Sequence, residues 1–204
     1  MSHYYTEKPT SKSDIKEINF DFLNKKFNFY TDSGVFSKSK IDFGSELMIK
    51  TFLSHSKVKI GKFLDIGCGY GPVGTIVKIF IPDIEILLSD INERALELTE
   101  KNLIKNNIKE YKIIKSNIFD NITENFDFIL SNPPIRAGKD TIFKIYEQAH
   151  EHLNPNGEFY CVIQTKQGAK STFKKISEIF GNCETLTIDS GYRILYAKKT
   201  EQSG

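Results

Sequence analysis

The sequence predicts an α/β fold with a doubly wound, mostly parallel sheet of seven strands, a β-hairpin extension at the N-terminus and an antiparallel hairpin at the C-terminus. From Phe63 onward, short apolar runs alternate with segments of helical spacing, which is typical of parallel strands joined by helices. Phenylalanines alternate with polar residues on both sides of position 24, and this pattern favours a hairpin. Ser190-Gly191 separates the last two apolar runs and is typical of a hairpin turn.

Each element can be placed from the chain in order. The N-terminal hairpin carries Ile18, Phe20 and Phe22 on one strand and Phe27 and Phe29 on the other, with a turn at Asn24-Lys25-Lys26. Helices are predicted up to about position 53 and at 72–80, 92–106, 140–153 and 171–180, and strands at 63–66, 85–90, 112–116, 126–131, 158–164, 184–188 and 193–198. Asn154-Pro155-Asn156-Gly157 is expected to stop the preceding helix before the fifth strand.

Length and composition indicate one domain of ordinary size. The 204 residues are enough to bury a full core, and no linker divides positions 1–204. A net charge of +2 neither requires nor excludes a polyanionic partner. The three cysteines lack disulfide or metal-site spacing and fit a reducing compartment. No secretory leader and no apolar run of about 18 residues is recognisable, so we expect a cytoplasmic protein without a membrane span, and a monomer by default.

A glycine turn between the first parallel strand and its helix predicts a ligand site. Gly67, Gly69 and Gly71 follow the buried strand at 63–66, and glycine can adopt positive φ and let a ligand lie against bare backbone. Pro72 suits the first position of the helix that follows. The N–H groups that open this helix therefore point at whatever fills the turn.

The charge beside the turn distinguishes two kinds of ligand. The spacing of Gly69, Gly71 and Gly74, with Asp90 about 20 residues further on, also matches a dinucleotide site. Asp65 argues against that interpretation, because a carboxylate at the end of the strand would repel a pyrophosphate. The same carboxylate suits a ligand with an ammonium and a sulfonium group, and S-adenosylmethionine carries both.

Four successive strands of the predicted sheet end in a polar side chain. In doubly wound sheets, ligands bind beyond the carboxyl ends of the strands. Asp and Asn are also common in turns, so each residue alone is weak evidence. The same position on four strands in a row is harder to explain by turns, and these residues are predicted to face one cleft: Asp65, Asp90, Asn117 and Asn132.

The run Asn132-Pro133-Pro134-Ile135 predicts chemistry on a planar amine. The lone pair of such a nitrogen is delocalised, so two acceptors that bind both N–H protons would help to align it with a methyl donor. The Asn132 side-chain oxygen can be one acceptor and the Pro133 carbonyl the other, while the prolines restrict the backbone. Ile135 would pack on the flat face of the base. No cysteine stands where covalent catalysis would need it, and no metal cluster is visible.

The motifs together resemble a known family. The glycine turn resembles the first motif of class I methyltransferases with a Rossmann-like fold. The wider pattern resembles the 16S ribosomal RNA guanine-N2 methyltransferases of the "methyltransferase small" domain family, through Gly34–Ser37, Asp42–Ser45, Asn132–Lys139 and Gln164–Gly168. This resemblance spans about residues 4–199. It implies that residues 56–204 form the catalytic core, that 1–55 extend it, and that the substrate is ribosomal RNA or the small ribosomal subunit.

The resemblance also implies roles for individual residues. The cofactor would contact the glycine turn, Asn132 and the polar strand ends, and the base would be held by Asn132 to Ile135. Phe36 and Asp42 would help to close the site, and phosphates of the target strand would pass Arg136 and Lys139. The predicted cofactor-binding residues are Asp65, Gly67, Gly69, Gly71, Asp90, Asn117 and Asn132.

Several alternatives remain open from the sequence. Protein-glutamine and adenine-N6 methyltransferases also use Asn-Pro-Pro, and a non-catalytic module that binds the cofactor or RNA belongs to a different class. Better-known members of the guanine-N2 family carry a second domain ahead of the catalytic one, where this chain has a short hairpin region. Ile135 stands where many amine methyltransferases have an aromatic residue, so base stacking should be weaker.

Overall fold

The structure is a computed structural model that describes residues 13–35, 37, 40–57 and 60–200. It contains a two-stranded hairpin and a seven-stranded sheet with helices on both faces. This arrangement confirms the predicted fold class. No helix in the described part of the chain has the length and apolar character that a membrane crossing requires.

The N-terminal hairpin consists of β1 (Lys16–Phe22) and β2 (Lys25–Thr31). Leu23 and Asn24 form the turn, with φ values of 44° and 64°, so the predicted turn over 24–26 is wrong by one residue. A two-residue turn with positive φ matches the twist of the strands, and Asn adopts this conformation readily. The resulting register places Phe20 opposite Phe27, and the phenylalanines share the face that packs on the core.

Helix α1 (Phe43–His55) follows the hairpin and begins at a side-chain cap. Asp42 is the N-cap, and its Oδ2 accepts a hydrogen bond of 3.1 Å from the backbone N–H of Ser45. An N-cap carboxylate satisfies an otherwise unpaired N–H and complements the helix dipole. Met48 and Phe52 lie fully buried on the inner side of this helix, as the sequence predicts.

Seven strands form the main sheet in the spatial order β5-β4-β3-β6-β7-β9-β8. The pairs among β5, β4, β3, β6 and β7 are parallel, whereas β9 pairs antiparallel with β7 and with β8. The order reverses next to β3, so a crevice opens there at the carboxyl ends of the strands. The strands are β3 (Gly61–Ile66), β4 (Ile84–Asp90), β5 (Lys112–Lys115), β6 (Phe126–Ser131), β7 (Leu153–Gln164), β8 (Glu184–Asp189) and β9 (Tyr192–Lys198).

Helices cover both faces of this sheet because its strands are apolar on both sides. Phe63 and Leu64 are neighbours on β3, yet one belongs to the core beneath α1, α2, α3 and the hairpin, and the other to the core beneath α4 and α5. The remaining helices are α2 (Pro72–Phe80), α3 (Glu93–Lys105), α4 (Lys139–Glu151) and α5 (Ala169–Phe180), with short 3₁₀ turns at Ile135–Ala137 and Thr165–Gln167.

Strand β7 begins earlier than predicted. Helix α4 ends at Glu151, and the segment 154–157, expected to be a loop, lies inside the strand as an irregularity. Leu153 still pairs with Phe126 before the register shifts. The backbone N–H of Asn156, a residue with a φ of 66°, donates to the carbonyl of Lys199. This hydrogen bond satisfies the irregular backbone, which explains why the strand continues through the segment.

Two asparagines of α3 join the hairpin to the core. The side-chain oxygen of Asn102 accepts from the N–H of Tyr30 at 2.6 Å, and its amide nitrogen donates to the carbonyls of Tyr30 and Tyr70 at 2.8 Å each. One helical turn later, the amide nitrogen of Asn106 donates to the carbonyl of Asn28 at 2.9 Å. The outer edge of β2 is therefore paired with side chains of a helix.

Candidate active site

A cleft of about 500 Å³ opens at the carboxyl ends of the central strands. The four polar residues predicted to meet there all line it: Asp65, Asp90, Asn117 and Asn132. They follow or end β3, β4, β5 and β6, whose carboxyl ends share one edge because the strands are parallel. The structure therefore brings together the residues that the strand-end pattern selects.

The glycine turn supplies bare backbone to this cleft. Gly67 and Gly69 have φ values of 72° and 58°, and a Cβ atom added at either position would meet no atom within 4 Å. Both positions therefore open into free space. Gly71 differs, because an added Cβ would lie 2.9 Å from the Thr99 side chain. Gly71 does not line the cleft, and its lack of a side chain lets α3 pack closely against the turn.

Two carboxyl groups stand beside the turn, one buried at Asp65 and one half-buried at Asp90. Asp65 Oδ2 accepts from the N–H of Gly74 at 3.0 Å, and burial raises its pKa to about 7. Asp90 accepts from the N–H groups of Gly69 and Asn92 at 2.9 Å each, and burial raises its pKa to about 6. In the parts of the chain that the structure describes, no cationic side chain forms an ion pair with either group. This side of the cleft suits a positively charged ligand.

The Asn132 side chain is fixed by the start of α1. Its Nδ2 donates to Asp42 Oδ2 at 3.1 Å and to Ser45 Oγ at 2.9 Å. A carboxylate can only accept, so the amide nitrogen must face Asp42, and the amide oxygen is turned away from this pair. The neighbouring Pro133 is buried and also lines the cleft. The arrangement presents an oriented amide oxygen as a hydrogen-bond acceptor.

The other predicted residues differ in their positions. Pro134, Ile135 and Arg136 line the cleft, and the Arg136 side chain is exposed. Lys139 does not line it: this exposed residue begins α4, and its Nζ lies 5.1 Å from the centre of the Phe143 ring. Phe36 falls outside the described residues. The predicted ligand contacts of all these residues stay predictions.

Sequence reasoning missed several residues that shape the cleft. Ser45 holds Asn132, and Tyr70 and Ser89 line the cleft. The hydroxyls of Tyr70 and Ser89 are buried and have no hydrogen-bond partner among the described residues. Gln164 Nε2 donates to the Tyr192 hydroxyl at 2.7 Å. The signal for Tyr70 was its place inside the glycine turn, whereas the other contacts join residues far apart in the chain.

The cleft contains one cysteine, Cys68, together with carboxyl groups. Within the described residues, no group of three or more His, Cys, Asp or Glu side chains could hold a metal ion. Cys68 lines the cleft, but burial raises the pKa of its thiol well above the usual range. A neutral thiol is a poor nucleophile. The groups that remain are oriented hydrogen-bond acceptors and buried carboxyl groups.

Comparisons with known proteins agree with this site. The methyltransferase small domain family matches residues 26–196. The chain is 45% identical to the Bacillus subtilis protein YbxB, described as uncharacterized, over 97% of this chain and 98% of that protein. It is 32% identical to the ribosomal RNA small subunit methyltransferase C of Actinobacillus pleuropneumoniae, over 87% of this chain and 56% of that protein.

A solved structure has the same fold. The Thermus thermophilus 16S rRNA N2 G1207 methyltransferase RsmC, in complex with AdoMet and guanosine, superposes with a TM-score of 0.83 at 24% identity, covering 92% of this chain and 51% of that one. This chain therefore spans about half the length of the ribosomal RNA methyltransferases that it matches. The predicted class I S-adenosylmethionine-dependent methyltransferase is confirmed, and the chain belongs to the methyltransferase small domain family.

Proposed function

We propose that this methyltransferase transfers a methyl group from S-adenosylmethionine to an exocyclic amine, the N2 of a guanine in 16S ribosomal RNA. One observation carries the proposal: the Asn132 amide is oriented by Asp42 and Ser45 within the cleft that also holds the glycine turn. The names of the matched ribosomal RNA methyltransferases support the choice of guanine N2.

The residues of the cleft fit the proposed cofactor. Gly67 and Gly69 leave open space against their backbone, which a ligand can fill. Tyr70 and Ser89 line the same cleft as this backbone. Asp90 would accept hydrogen bonds from the ribose hydroxyls, and Asn117 would also contact the cofactor. Asp65 would favour the positive charge of the cofactor.

Asn132 and Pro133 would orient the amine. When bound, S-adenosylmethionine would supply the methyl group: the carbon–sulfur bond breaks as the carbon–nitrogen bond forms, S-adenosylhomocysteine leaves, and the methylated nitrogen loses one proton to solvent. The Asn132 side-chain oxygen and the Pro133 carbonyl accept hydrogen bonds from the two N–H groups, which fixes the direction of the nitrogen lone pair. Pro134 restrains the loop, and Ile135 makes apolar contact with the face of the base. Catalysis by these residues consists mainly of orientation.

Asp42 would act as a positioning residue. Its Oδ2 accepts from both the Ser45 N–H and Asn132 Nδ2, each at 3.1 Å, so one carboxylate oxygen links the cap of α1 to the amide. An acceptor at this point prevents the amide from turning its nitrogen toward the substrate. This contact gives Asp42 a role in the site whether or not it touches the substrate itself.

We further propose that residues 1–204 form one methyltransferase domain that works in the cytoplasm, as a monomer, on ribosomal RNA or the small subunit. Residues 1–55 would extend a catalytic core over 56–204. The chain spans 56% of the A. pleuropneumoniae enzyme. Arg136, exposed at the mouth of the cleft, is the first candidate for a phosphate contact.

Transfer of a labelled methyl group tests the proposal. The purified protein is incubated with labelled S-adenosylmethionine and, separately, small ribosomal subunits, naked 16S RNA, duplex DNA and release factors. We expect label in the RNA as N2-methylguanine after digestion to nucleosides. Label in release factors or DNA would favour the protein-glutamine or adenine-N6 alternative. Cofactor binding without transfer to any substrate would favour a non-catalytic module.

A binding measurement separates the two classes of ligand that fit a glycine turn. Because Asp65 is buried and Asp90 is half-buried beside the turn, we expect S-adenosylmethionine and S-adenosylhomocysteine to bind and NAD to bind weakly or not at all. Isothermal titration calorimetry measures the three dissociation constants. Tight binding of NAD without binding of S-adenosylmethionine would contradict the proposed function.

A further inference from the structure

Tyr192 brings an aromatic side chain to one end of the cleft. It begins β9 and pairs with Gln164, the last residue of β7. Both residues are half-buried and line the cleft. Neither belongs to the proposed cofactor site or to the loop that orients the amine. They are therefore candidates for a contact with the rest of the substrate.

The strand order places this end of the cleft beyond the amine. The glycine turn follows β3, Asn132 follows β6, and β7 and β9 come next in the sheet. Methyl transfer requires the sulfur, the methyl carbon and the attacking nitrogen to be in line. The base is bonded to that nitrogen at more than a right angle to the new bond, so it lies beyond the nitrogen as seen from the sulfur. With the cofactor over the turn and the amine at Asn132, the base extends toward Gln164 and Tyr192.

The start of α1 places the Tyr192 ring beside the group that holds Asn132. Gly44 lies in the first turn of α1, and a glycine destabilises a helix relative to alanine. A Cβ atom added at Gly44 would lie 2.8 Å from Tyr192 Cδ1 and Cε1 and 2.9 Å from Asp42 Oδ2. The absent side chain thus leaves room for the ring next to the Asp42 carboxylate, which accepts from Asn132 Nδ2.

Two further contacts hold the ring. The Tyr192 hydroxyl accepts from Gln164 Nε2 at 2.7 Å. The ring centre lies 5.6 Å from that of Phe43, with 56° between the planes. Protein atoms therefore occupy the hydroxyl and the edge beside Gly44, and the ring is fixed before a ligand binds. A preorganised ring loses little conformational freedom on binding.

A planar base suits this position. Aromatic side chains bind bases by stacking, and every base has a π-face, so the contact needs no particular hydrogen-bonding pattern. Among the described residues that line the cleft, only Tyr70 and Tyr192 are aromatic, and Tyr70 is 2% exposed within the glycine turn. Tyr192 is thus the aromatic residue that a base beyond Asn132 can meet.

We propose that the target base stacks on the Tyr192 ring while Asn132 and Pro133 hold its amine. The inference rests on the proposed function, since it assumes a base with an exocyclic amine in the cleft. Tyr192 is then a substrate-positioning residue, and Gln164 fixes its ring through the hydroxyl. The ring supplies the aromatic contact that Ile135 cannot provide.

The variant Tyr192→Leu removes the ring and keeps an apolar side chain. We expect kcat/KM for methyl transfer to 16S RNA to fall roughly 5- to 50-fold, because Leu retains only part of the stacking contact. Tyr192→Phe keeps the ring and loses only the hydroxyl, so it should restore most of the lost kcat/KM. The dissociation constant of S-adenosylhomocysteine should not change in Tyr192→Leu, since the glycine turn lies at the other end of the cleft.

Tyr111→Leu is the matched control for this exchange. Tyr111 is also half-buried, but it does not line the cleft. The same loss of a tyrosine ring should therefore leave kcat/KM unchanged. A fall in kcat/KM equal to that of Tyr192→Leu would mean that the loss reflects packing in general, and it would contradict the inference.

Fluorescence gives a readout that does not depend on turnover. The probe is an oligouridine with one 2-aminopurine, which is the only base in it with an exocyclic amine, and it is added to the protein with S-adenosylhomocysteine. Stacking on an aromatic ring quenches the fluorescence of 2-aminopurine. At saturating protein we expect quenching by the unaltered protein and by Tyr192→Phe, and much less quenching by Tyr192→Leu.

Other results would overturn the inference. Equal kcat/KM in Tyr192→Leu and the unaltered protein would mean that the base does not stack on this ring. Equal losses in Tyr192→Phe and Tyr192→Leu would mean that the hydroxyl matters and the ring does not. Binding of the probe to the unaltered protein without quenching would exclude stacking even if Tyr192→Leu did not fold. Absence of methyl transfer to RNA by the unaltered protein would instead overturn the proposed function, before any variant is compared.

Discussion

The two ends of the parallel sheet differ in whether their carboxyl groups have cationic partners. At the carboxyl end, Asp65 is buried and Asp90 half-buried, neither forms an ion pair among the described residues, and desolvation raises the pKa of each. Near the amino end, Glu124 lies 2.7 Å from both Lys62 and Lys112, and the hydrogen bonds from these lysines lower its pKa. Folding therefore raises the pKa of the carboxyl groups at one end and lowers the pKa of Glu124 at the other.

This difference separates binding from folding. Where every charge is already paired in a salt bridge, no unpaired charge remains to bind a ligand. A desolvated carboxylate without a cationic partner lowers the stability of the fold, and binding of a cation restores that stability. Only the carboxyl end of the sheet carries that cost. It identifies the functional end on physical grounds, independently of motifs.

The largest effect should come from Asn132→Ala, which removes the oriented acceptor at the carboxyl end. We expect kcat to fall by about 10²–10³, as for the loss of one preorganised polar group at a reacting centre. Affinity for S-adenosylhomocysteine should be nearly unchanged. Single-turnover methyl transfer to small-subunit RNA and calorimetry measure the two quantities. Turnover close to that of the unaltered protein would mean that the Asn132 loop has no catalytic role.

A smaller loss should follow from Asp90→Ala. Hydrogen bonds to a charged group contribute about 1.5–3 kcal/mol, so the dissociation constant for S-adenosylmethionine should rise roughly 10- to 100-fold. Asp83→Ala is the control, because this exposed carboxylate does not line the cleft. An unchanged dissociation constant in Asp90→Ala would remove Asp90 from the cofactor site.

We expect Arg136 and Lys139 to contribute unequally to RNA binding. Arg136 lines the cleft whereas Lys139 does not. Arg136→Ala should therefore reduce the magnitude of the negative slope of log affinity against log salt concentration by about 0.7–0.9. Lys139→Ala should lower it by less, and it serves as the matched control. Affinity for 16S RNA is measured by filter binding over a range of salt concentrations. Equal slopes in all three proteins would mean that neither residue contacts phosphate.

Because the pKa shifts at the two ends have opposite signs, the pH dependence of the melting temperature tests the difference between them. The pKa of Asp65 is raised from 3.8 to about 7, so the ligand-free folded state holds its proton more tightly than the unfolded state does. Ionisation therefore costs stability as the pH rises through this range. Asp65→Asn should raise the melting temperature at pH 8, by roughly 3 °C or more, and raise it less at pH 5, where only part of this cost has accumulated. Scanning calorimetry at both values measures the effect, and a lower melting temperature of Asp65→Asn at pH 8 would contradict it.

Glu124→Gln should give the smallest effect, with the opposite sign. The pKa of Glu124 is lowered, so its charge stabilises the fold above the unfolded pKa and this contribution disappears as the pH falls. Partly exposed salt bridges contribute little, so the melting temperature at pH 8 should fall by less than about 3 °C and methyl transfer should be unaffected. A rise in melting temperature at pH 8 would remove the contrast between the two ends.

The sequence predicts the strands and the residues at their ends because both are local patterns. Asp65, Asp90 and Asn132 each follow an apolar run, and parallel pairing then brings them to one edge. The contacts that orient them are not local. The Asp42–Asn132 hydrogen bond joins residues 90 positions apart, so no local pattern could reveal which way the amide points. For Phe36, the structure provides no test.

Element boundaries failed where tertiary contacts override local preference. The segment 154–157 has the composition of a loop, yet it continues β7 because Lys199 satisfies its backbone. The turn at Leu23 and Asn24 was misplaced because the strand register, which aligns Phe20 with Phe27, decides its position. In the first case a hydrogen-bonding partner distant in sequence determines the outcome, and in the second the pairing of the two adjacent strands does.

The pair Asn102 and Asn106 has a consequence for solubility. A two-stranded hairpin presents two free edges, and an unpaired edge is a template for strands of other chains. On β2 the outward-facing backbone groups of Asn28 and Tyr30 bind these two amides of α3 instead. These side-chain amides occupy hydrogen-bonding groups that a third strand would otherwise use, so they protect this edge from pairing with strands of other chains. Replacing the amides with aliphatic residues would reopen it, and the first symptom would be aggregation at high protein concentration.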